Sequence, residues 1–124
     1  MTEFLDLDDL MAAANAAVGG TAQIRDVGLL QAAIARPQAT AFGEPAYQTL
    51  DEQAAALLHS IVTSHPLIDG NQRLGWVAVR LFYAINDGDM RADAEAAFEL
   101  VVAVADGTIR DVAAIAARLR GLRA

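Results

Sequence analysis

Residues 65–73, HPLIDGNQR, form a short polar segment between two long apolar segments. The segment holds one His, one Asp, one Asn and one Arg around a single Gly. Apolar residues recur at helical spacing before it, up to Ser64, and after it, from Asn71, so the chain must reverse direction between two helices. Gly70 permits the tight backbone that this reversal requires. The segment therefore decides how two long helices meet. It also places several polar and ionisable side chains at the point where the two helices meet.

Helical patterns recur along the rest of the chain, and no segment shows the sustained alternation of apolar and polar residues that predicts strands. Cap residues and helix breakers predict six helices, at about residues 6–18, 26–36, 49–64, 71–86, 93–105 and 108–120. The helix from Asn71 is apolar nearly all round after Arg73, except at Arg80, which is typical of a central, buried helix. We therefore predict a single compact all-α domain over residues 1–124, a bundle of about six helices around this central helix.

Residues 37–48, PQATAFGEPAYQ, separate the second and third predicted helices and contain two prolines and one glycine. This composition predicts a loop. Long loops within compact domains are often functional.

The composition limits the classes of function. The chain has 124 residues, 55% of them apolar, which is enough for a packed core and unlike a disordered chain. No apolar run reaches the roughly 18 residues of a membrane span, and the acidic N-terminus is unlike a secretory signal. The absence of cysteine excludes disulfides and thiolate metal sites. The formal net charge of −7 disfavours direct binding to nucleic acid. We therefore expect a cytoplasmic protein with neither a membrane nor a nucleic-acid partner.

The side chains of residues 65–73 fit phosphate chemistry. The start of the helix at Asn71 presents free backbone N–H groups and the positive end of the helix dipole, which suit an anion. Arg73 can add a bidentate bond to a phosphate, and Asp69 can ligate Mg²⁺. His65 suits a general base that deprotonates a hydroxyl, since imidazole titrates near neutral pH. Asn71 can steady an oxyanion or the loop itself. Together these groups fit phosphoryl or nucleotidyl transfer.

The same residues also fit an ordinary helix corner. Asp69, Gly70 and Asn71 are common turn residues. Asp69 can cap the following helix and pair with Arg73, and a single His at a helix end is more often structural than catalytic. The spacing by itself leaves both interpretations open.

HPLIDGNQR resembles the motif of the Fic/Doc family, H-x-F-x-D/E-G-N-G-R-x-x-R, and in particular that of its Doc (death-on-curing) branch, H-x-F-x-D-A/G-N-K-R. Other stretches that agree with Doc-type toxins are RDVGLL (25–30), ARPQA (35–39), AAALLHS (54–60) and VADG (104–107). The resemblance spans nearly the whole chain. It implies a Fic-type helical fold that binds ATP and Mg²⁺.

The resemblance also implies a role for each residue of the motif. His65 would be the base that activates a target hydroxyl, and Asp69 would hold Mg²⁺. Asn71 and Arg73 would contact the nucleotide phosphates, and Gly70 would let the backbone approach them.

The resemblance further implies a substrate and a partner. Doc-type toxins of type II toxin–antitoxin systems transfer phosphate from ATP to a threonine of elongation factor Tu, which arrests translation. Their partner is a Phd-type antitoxin whose C-terminal segment folds onto the toxin. Other Fic proteins transfer AMP to hydroxyl groups, and this is the enzymatic alternative. A weakened Fic-fold subunit that acts only by binding its partner is the non-enzymatic alternative.

Three positions depart from the family pattern. Gln72 replaces the Lys of Doc and the Gly of the broader family, and it supplies neither the charge nor the space. In the interpretation we favour, Gln72 still donates a neutral hydrogen bond to phosphate; in the other, it marks a weakened enzyme or a different nucleotide or target. Trp76 replaces the second Arg of the broader motif, which argues against AMP transfer. Leu67 replaces Phe, which we interpret as a packing change.

Other polar residues receive simpler interpretations. We interpret Arg25, Arg36 and His59 as structural, and we expect Arg80 to pair with an acidic neighbour. The segment 42–47 resembles in position the flap with which Fic proteins dock a target segment, and it equally fits an ordinary surface loop.

Overall fold

The computed structural model describes residues 1–90 and 93–123, so the predicted domain of residues 1–124 includes three positions outside these ranges. The described helices are α1 (Leu7–Val18), α2 (Val27–Ala35), α3 (Leu50–Ser64), α4 (Asn71–Ile85), α5 (Ala94–Ala105) and α6 (Val112–Leu122). A short 3-10 helix (Arg36–Gln38) and an antiparallel pair of strands, β1 (Thr40–Ala41) and β2 (Glu44–Pro45), lie between α2 and α3. The predicted all-α class and the number of about six helices are confirmed. Within the described ranges, every helix is too short or too polar to cross a membrane.

Local sequence explains where most of the helices begin and end. Asp6 accepts the backbone N–H of Asp9 at 2.8 Å and so begins α1, while Thr49 accepts that of Glu52 at 3.1 Å and begins α3. A cap of this kind typically stabilises a helix by about 1 kcal/mol. Gly19 ends α1 in the left-handed conformation, with φ of +69°. These boundaries agree with those predicted from the cap residues.

The most deeply buried helix is α3, so the prediction that α4 is the central helix was wrong. Nine of the 15 residues of α3 are buried, against six of the 15 in α4. Helix α3 packs against α2, α4, α5 and α6. Its run of small residues, Ala54–Ala56, is fully buried and lets the neighbouring helices approach closely. Alanine is only weakly apolar, so the sequence pattern of α3 does not mark it as the core helix, whereas α4 carries larger apolar side chains such as Trp76 and Phe82.

The segment 37–48 is more regular than the predicted loop, because β1 and β2 form a hairpin within it. Phe42 and Gly43 at its tip have φ of +54° and +80°. Positive φ at both central residues is typical of the tight turn that matches the twist of a two-residue hairpin. The Phe42 side chain is fully exposed there. We call residues 40–45 the hairpin.

Helix α6 begins and ends later than predicted. Thr108 does not open the helix, because its N–H and its hydroxyl both donate to Asp106 Oδ1, at 2.8 and 2.6 Å. Asp111 is the N-cap, and the helix continues through Gly121 to Leu122.

Candidate active site

The predicted site residues surround one cleft at the N-terminus of α4. The cleft has a volume of about 320 Å³ and is lined by His65, Ile68, Asp69, Gly70, Asn71, Gln72 and Arg73. The reversal between α3 and α4 brings these residues together, since His65 ends α3 and Arg73 lies in the first turn of α4. Ile68 was not predicted as part of the site. It is 64% exposed, which gives the cleft an apolar side.

Helix α4 begins without a side-chain cap, which leaves its first N–H groups free to bind an anion. Its N-cap is Gly70, with φ of +87°, and no side chain accepts a first-turn N–H. The first backbone bond of the helix runs from Leu74 N–H to Gly70 O, at 2.8 Å. The N–H groups of Asn71, Gln72 and Arg73 therefore have no acceptor within the helix. Together with the helix dipole they can bind an anion at the cleft, and we call this end of the helix the anion site.

Asp69 does not cap α4, which excludes one of its two simple structural interpretations. Its Oδ1 accepts the N–H of Gly70 at 2.9 Å, one residue ahead of the helix. No ion pair within 4.0 Å joins Asp69 to Arg73, which excludes the second interpretation, that Asp69 pairs with Arg73. The side chain of Asp69 is exposed and lines the cleft.

The cleft suits Mg²⁺ that arrives with a phosphate. In residues 1–90 and 93–123, no group of three His, Asp or Glu residues is arranged to hold a metal ion. Mg²⁺ does not require such a group, because it usually binds through one or two carboxylates, substrate phosphates and several waters. The Asp69 carboxylate beside the anion site is a donor set of this kind.

The Asn71 side chain holds the loop. Its Oδ1 accepts the N–H of Leu67 at 2.8 Å, and its Nδ2 donates to the carbonyl of Leu67 at 3.0 Å. Of the two roles that the sequence left open, the structure therefore places the side chain in the loop. What Asn71 presents to the anion site is its backbone N–H.

His65 occupies an unusual backbone conformation for a residue other than glycine. It is the C-cap of α3, with φ of +57° and ψ of +62°, and its N–H donates to Ile61 O at 3.3 Å. The side chain is exposed on the cleft. The imidazole is therefore accessible from the cleft.

A second cavity, the apolar groove, adjoins the cleft. It has a volume of about 360 Å³. Gln72 and Arg73 line both cavities, and the other walls of the groove are apolar residues of α1, α4 and α5: Ala16, Ala17, Trp76, Val77, Ala94, Ala97, Phe98 and Val101. Trp76 therefore faces the groove, whereas the broader Fic motif has an arginine at this position. The groove was not predicted, because its residues come from three separate helices.

Arg36 and His59 join α3 to the base of the hairpin. Arg36 Nη1 lies 2.7 Å from His59 Nδ1 and 3.2 Å from Ser60 Oγ, and Arg36 Nε donates to the hydroxyl of Tyr47 at 3.1 Å. Burial and the Arg36 guanidinium both lower the pKa of His59. These contacts agree with the structural interpretation of Arg36 and His59.

A buried polar cluster that the sequence did not predict lies on the opposite end of α4. The hydroxyl of Tyr83 donates to Asp51 Oδ1 at 2.6 Å, and Arg120 and Arg123 approach Asp51 Oδ2 at 3.4 Å. Burial, and then the bond to Asp51, raise the pKa of Tyr83. These are the only ion pairs between residues of the described ranges, so the expected partner of Arg80 is not found there.

Comparison with known proteins decides the family. The sequence model of a family described as "Fic/DOC family" matches residues 4–83, which include the whole cleft. The chain belongs to the Fic/DOC family. A relative from Mycolicibacterium smegmatis (strain ATCC 700084 / mc(2)155), named "Toxin Doc", is 45% identical over 126 residues, with 100% of this chain and 96% of the relative covered. The resemblance to the Doc branch of the Fic/DOC family is thereby confirmed.

Membership of the Fic/DOC family supports a nucleotide-transferring enzyme. The chemistry of the cleft agrees with this assignment, since an anion site, an arginine, a carboxylate and an imidazole lie together.

Proposed function

We propose that this protein is a Doc-type toxin that transfers the γ-phosphate of ATP to a threonine or serine hydroxyl of a translation protein such as elongation factor Tu. The observation that carries the proposal is that the imidazole of His65 and the uncapped N-terminus of α4 share one cleft. The relative named "Toxin Doc" supports the biological role. Transfer to a translation protein would arrest growth and would take place in the cytoplasm.

Phosphate binding depends mainly on the first turn of α4. The N–H groups of Asn71, Gln72 and Arg73 would donate to phosphate oxygens, and the guanidinium of Arg73 would add a bidentate bond. Gly70 would be required for backbone reasons, since its φ of +87° favours glycine and an added Cβ would lie 2.8 Å from Val18 Cγ1. Gln72 would contribute a neutral donor in place of the lysine of other Doc sequences.

Asp69 would hold Mg²⁺ against the phosphates of ATP. The ion, when bound, neutralises negative charge on the phosphates and on the leaving ADP. The Asp69 carboxylate would be the protein ligand of Mg²⁺. It lies on a loop that is held in place, because Asn71 bonds both backbone groups of Leu67, two residues before Asp69.

The transfer step follows from the position of His65. The imidazole accepts the proton of the target hydroxyl while the hydroxyl oxygen bonds to the γ-phosphorus. The bond from the γ-phosphorus to the oxygen bridging to the β-phosphate breaks, and ADP leaves. Arg73 and the first-turn N–H groups stabilise the charge that develops on the phosphoryl oxygens, and this accounts for most catalysis in such transfers.

Trp76 favours phosphate transfer over AMP transfer. At this position the broader Fic motif has a second arginine, and here the side chain lines the apolar groove. Among the described residues, Arg73 is therefore the one arginine that lines the cleft.

The apolar groove suits the Phd-type antitoxin that we propose as the partner. An amphipathic segment of the antitoxin would place its apolar side chains in the groove. Because Gln72 and Arg73 line both cavities, a segment bound there would lie directly beside the cleft. Inhibition would follow from this proximity.

The experiment is transfer of label from γ-labelled ATP to purified elongation factor Tu, followed by mass spectrometry of the modified protein. We expect addition of phosphate by the parent and none by His65→Ala. No transfer by the parent, or undiminished transfer by His65→Ala, excludes the proposal. Addition of AMP would replace it by the nucleotidyl alternative. Growth arrest on expression that His65→Ala abolishes would exclude a subunit that acts only by binding.

A further inference from the structure

The segment 23–26 pairs with the loop that carries His65. The N–H groups of Arg25 and Asp26 both donate to Pro66 O, at 2.8 and 3.1 Å, and the N–H of Ile68 donates to Gln23 O at 3.0 Å. An isolated antiparallel bridge joins Ile24 to Leu67 between these bonds. A segment distant in sequence therefore holds the backbone immediately after His65.

The Arg25 side chain extends this pairing to the end of α3. Its Nε donates to the carbonyl of His65 at 2.6 Å, and its Nη2 donates to the carbonyl of Ser64 at 2.8 Å. These two nitrogens lie on one edge of the planar guanidinium, so a single side chain bonds two consecutive carbonyls. The carbonyls at the C-terminus of a helix have no N–H donor within it, and the positive charge of Arg25 is stabilised at the negative end of the helix dipole.

These bonds matter because of the conformation of His65. Its φ of +57° lies in the left-handed region, which disfavours residues with a Cβ. The direction of the Cα–Cβ bond, and hence the position of the imidazole, follows from this backbone conformation. The contacts described above fix the carbonyl of His65 and the neighbouring carbonyl of Pro66. They therefore prevent the backbone of His65 from relaxing to a more favourable conformation.

We propose that Arg25 is a positioning residue that holds the imidazole of His65 over the cleft. The inference rests on the proposed function, in which His65 is the base. Arg25 is not among the residues that line the cleft, so it acts through His65 rather than on the substrate. This assigns a role to a residue whose sequence pattern suggested only a structural one.

Variants of Arg25 are expected to fold, because its side chain is exposed. The backbone N–H groups of residues 25, 26 and 68 make their bonds without this side chain. Arg25→Gln removes the charge and the fork of donors. Arg25→Lys keeps the charge but provides a single ammonium group in place of two donors fixed in a plane.

Arg110 offers a matched control. It is also exposed, and its Nε donates to a loop carbonyl, that of Gly107, at 2.9 Å. This loop lies between α5 and α6, away from the cleft. Arg110→Gln therefore removes the same kind of bond without touching His65.

The experiment combines transfer kinetics with NMR of the protein without nucleotide. We expect kcat to fall roughly 10- to 100-fold in Arg25→Gln, with an intermediate fall in Arg25→Lys and a nearly constant KM for ATP, because misplacement of a catalytic group costs about this much. We also expect the amide and imidazole signals of His65 to shift in Arg25→Gln and to keep their parent positions in Arg110→Gln. The chain has only two histidines, so a spectrum of His59→Gln assigns the imidazole signals.

Two results would overturn the inference. One is an Arg25→Gln variant with the parent kcat, whatever its thermal stability. The other is a variant whose His65 signals do not move. If the parent shows no transfer, the proposed function fails, and the His65 signals alone then decide whether Arg25 positions this residue.

Discussion

The side chain of Asn71 bonds both backbone groups of Leu67, donating to the carbonyl and accepting the N–H, at 3.0 and 2.8 Å. The two residues enclose the turn that carries Asp69 and Gly70. Leu67 itself is buried, with 1% of its surface exposed. The amide of Asn71 thus links the core of the protein to the first turn of α4, and the shape of the cleft depends on this pair.

Two substitutions at Asn71 are expected to separate stability from phosphate binding. Asn71→Ala leaves both backbone groups of Leu67 without partners and should lower the free energy of unfolding by about 1–3 kcal/mol. Asn71→Asp loses the donor to the carbonyl of Leu67 but keeps an acceptor for its N–H, and its charge suits the N-terminus of α4, so it should cost less stability than the alanine. Its negative charge beside the anion site should instead raise the KM for ATP more than the alanine does. Urea unfolding measures the loss of stability, and transfer kinetics measure the KM for ATP. The account would be contradicted if the same variant were the more impaired one in both assays.

Gly75 is required by packing between α3 and α4. A Cβ at this position would lie 2.7 Å from Val62 Cγ1 and 2.9 Å from Leu58 Cδ1, both fully buried. Gly75→Ala should therefore destabilise the protein by about 1–3 kcal/mol through overpacking, despite the better helix propensity of alanine. Gly121, in α6, has no atom within 4 Å of an added Cβ. Gly121→Ala should stabilise by about 0.4–1 kcal/mol, and thermal unfolding of the pair tests whether packing determines the sign.

Tyr83→Phe should cost more stability than loss of the exposed arginine in the same cluster. The Tyr83 hydroxyl is the buried donor to Asp51, and a hydrogen bond to a charged group contributes about 1.5–3 kcal/mol. The side chain of Arg120 is 63% exposed, and exposed ion pairs contribute about 0–1 kcal/mol. Urea unfolding of Tyr83→Phe and Arg120→Gln should show this order. The reverse order would mean that the ion pairs of Asp51 stabilise this cluster more than the tyrosine does.

The parts of the structure that the sequence predicted are those determined by neighbouring residues. Asp6 and Thr49 mark helix starts because a cap bonds an N–H three residues away. The cleft was predicted because its lining residues lie within 65–73. Asp51 and Tyr83 are 32 residues apart, and the residues of the apolar groove come from three helices, so only the packing of the helices brings them together. The pairing of Arg25 with residues 64 and 65 was missed for the same reason.

His59 should make the protein less stable as the solution is acidified. Burial and Arg36 lower the pKa of His59 in the folded protein, so the unfolded chain binds more protons than the folded one. The contribution of His59 to stability is therefore fully present above the ordinary pKa of about 6.5 and is lost as the pH falls towards the lowered value. Urea unfolding between pH 7.5 and 5 should show a steeper loss in the parent than in His59→Gln. Parallel pH profiles of the two proteins would show that the Arg36 contact does not depend on a neutral imidazole.

Gln72→Lys should increase the rate of transfer, because it restores a positive charge beside the anion site. Gln72 is exposed and lines the cleft, so a lysine fits there without disturbing the core. A charge-assisted bond is worth roughly 1 kcal/mol more than a neutral one, which corresponds to about a fivefold higher kcat if the bond forms in the transition state. Gln31→Lys adds the same charge at an exposed position of α2 outside the cleft and should leave kcat unchanged. A lower kcat in Gln72→Lys, with Gln31→Lys unaffected, would indicate that the neutral amide suits the substrate of this protein and that the lysine-containing sequences act on a different one.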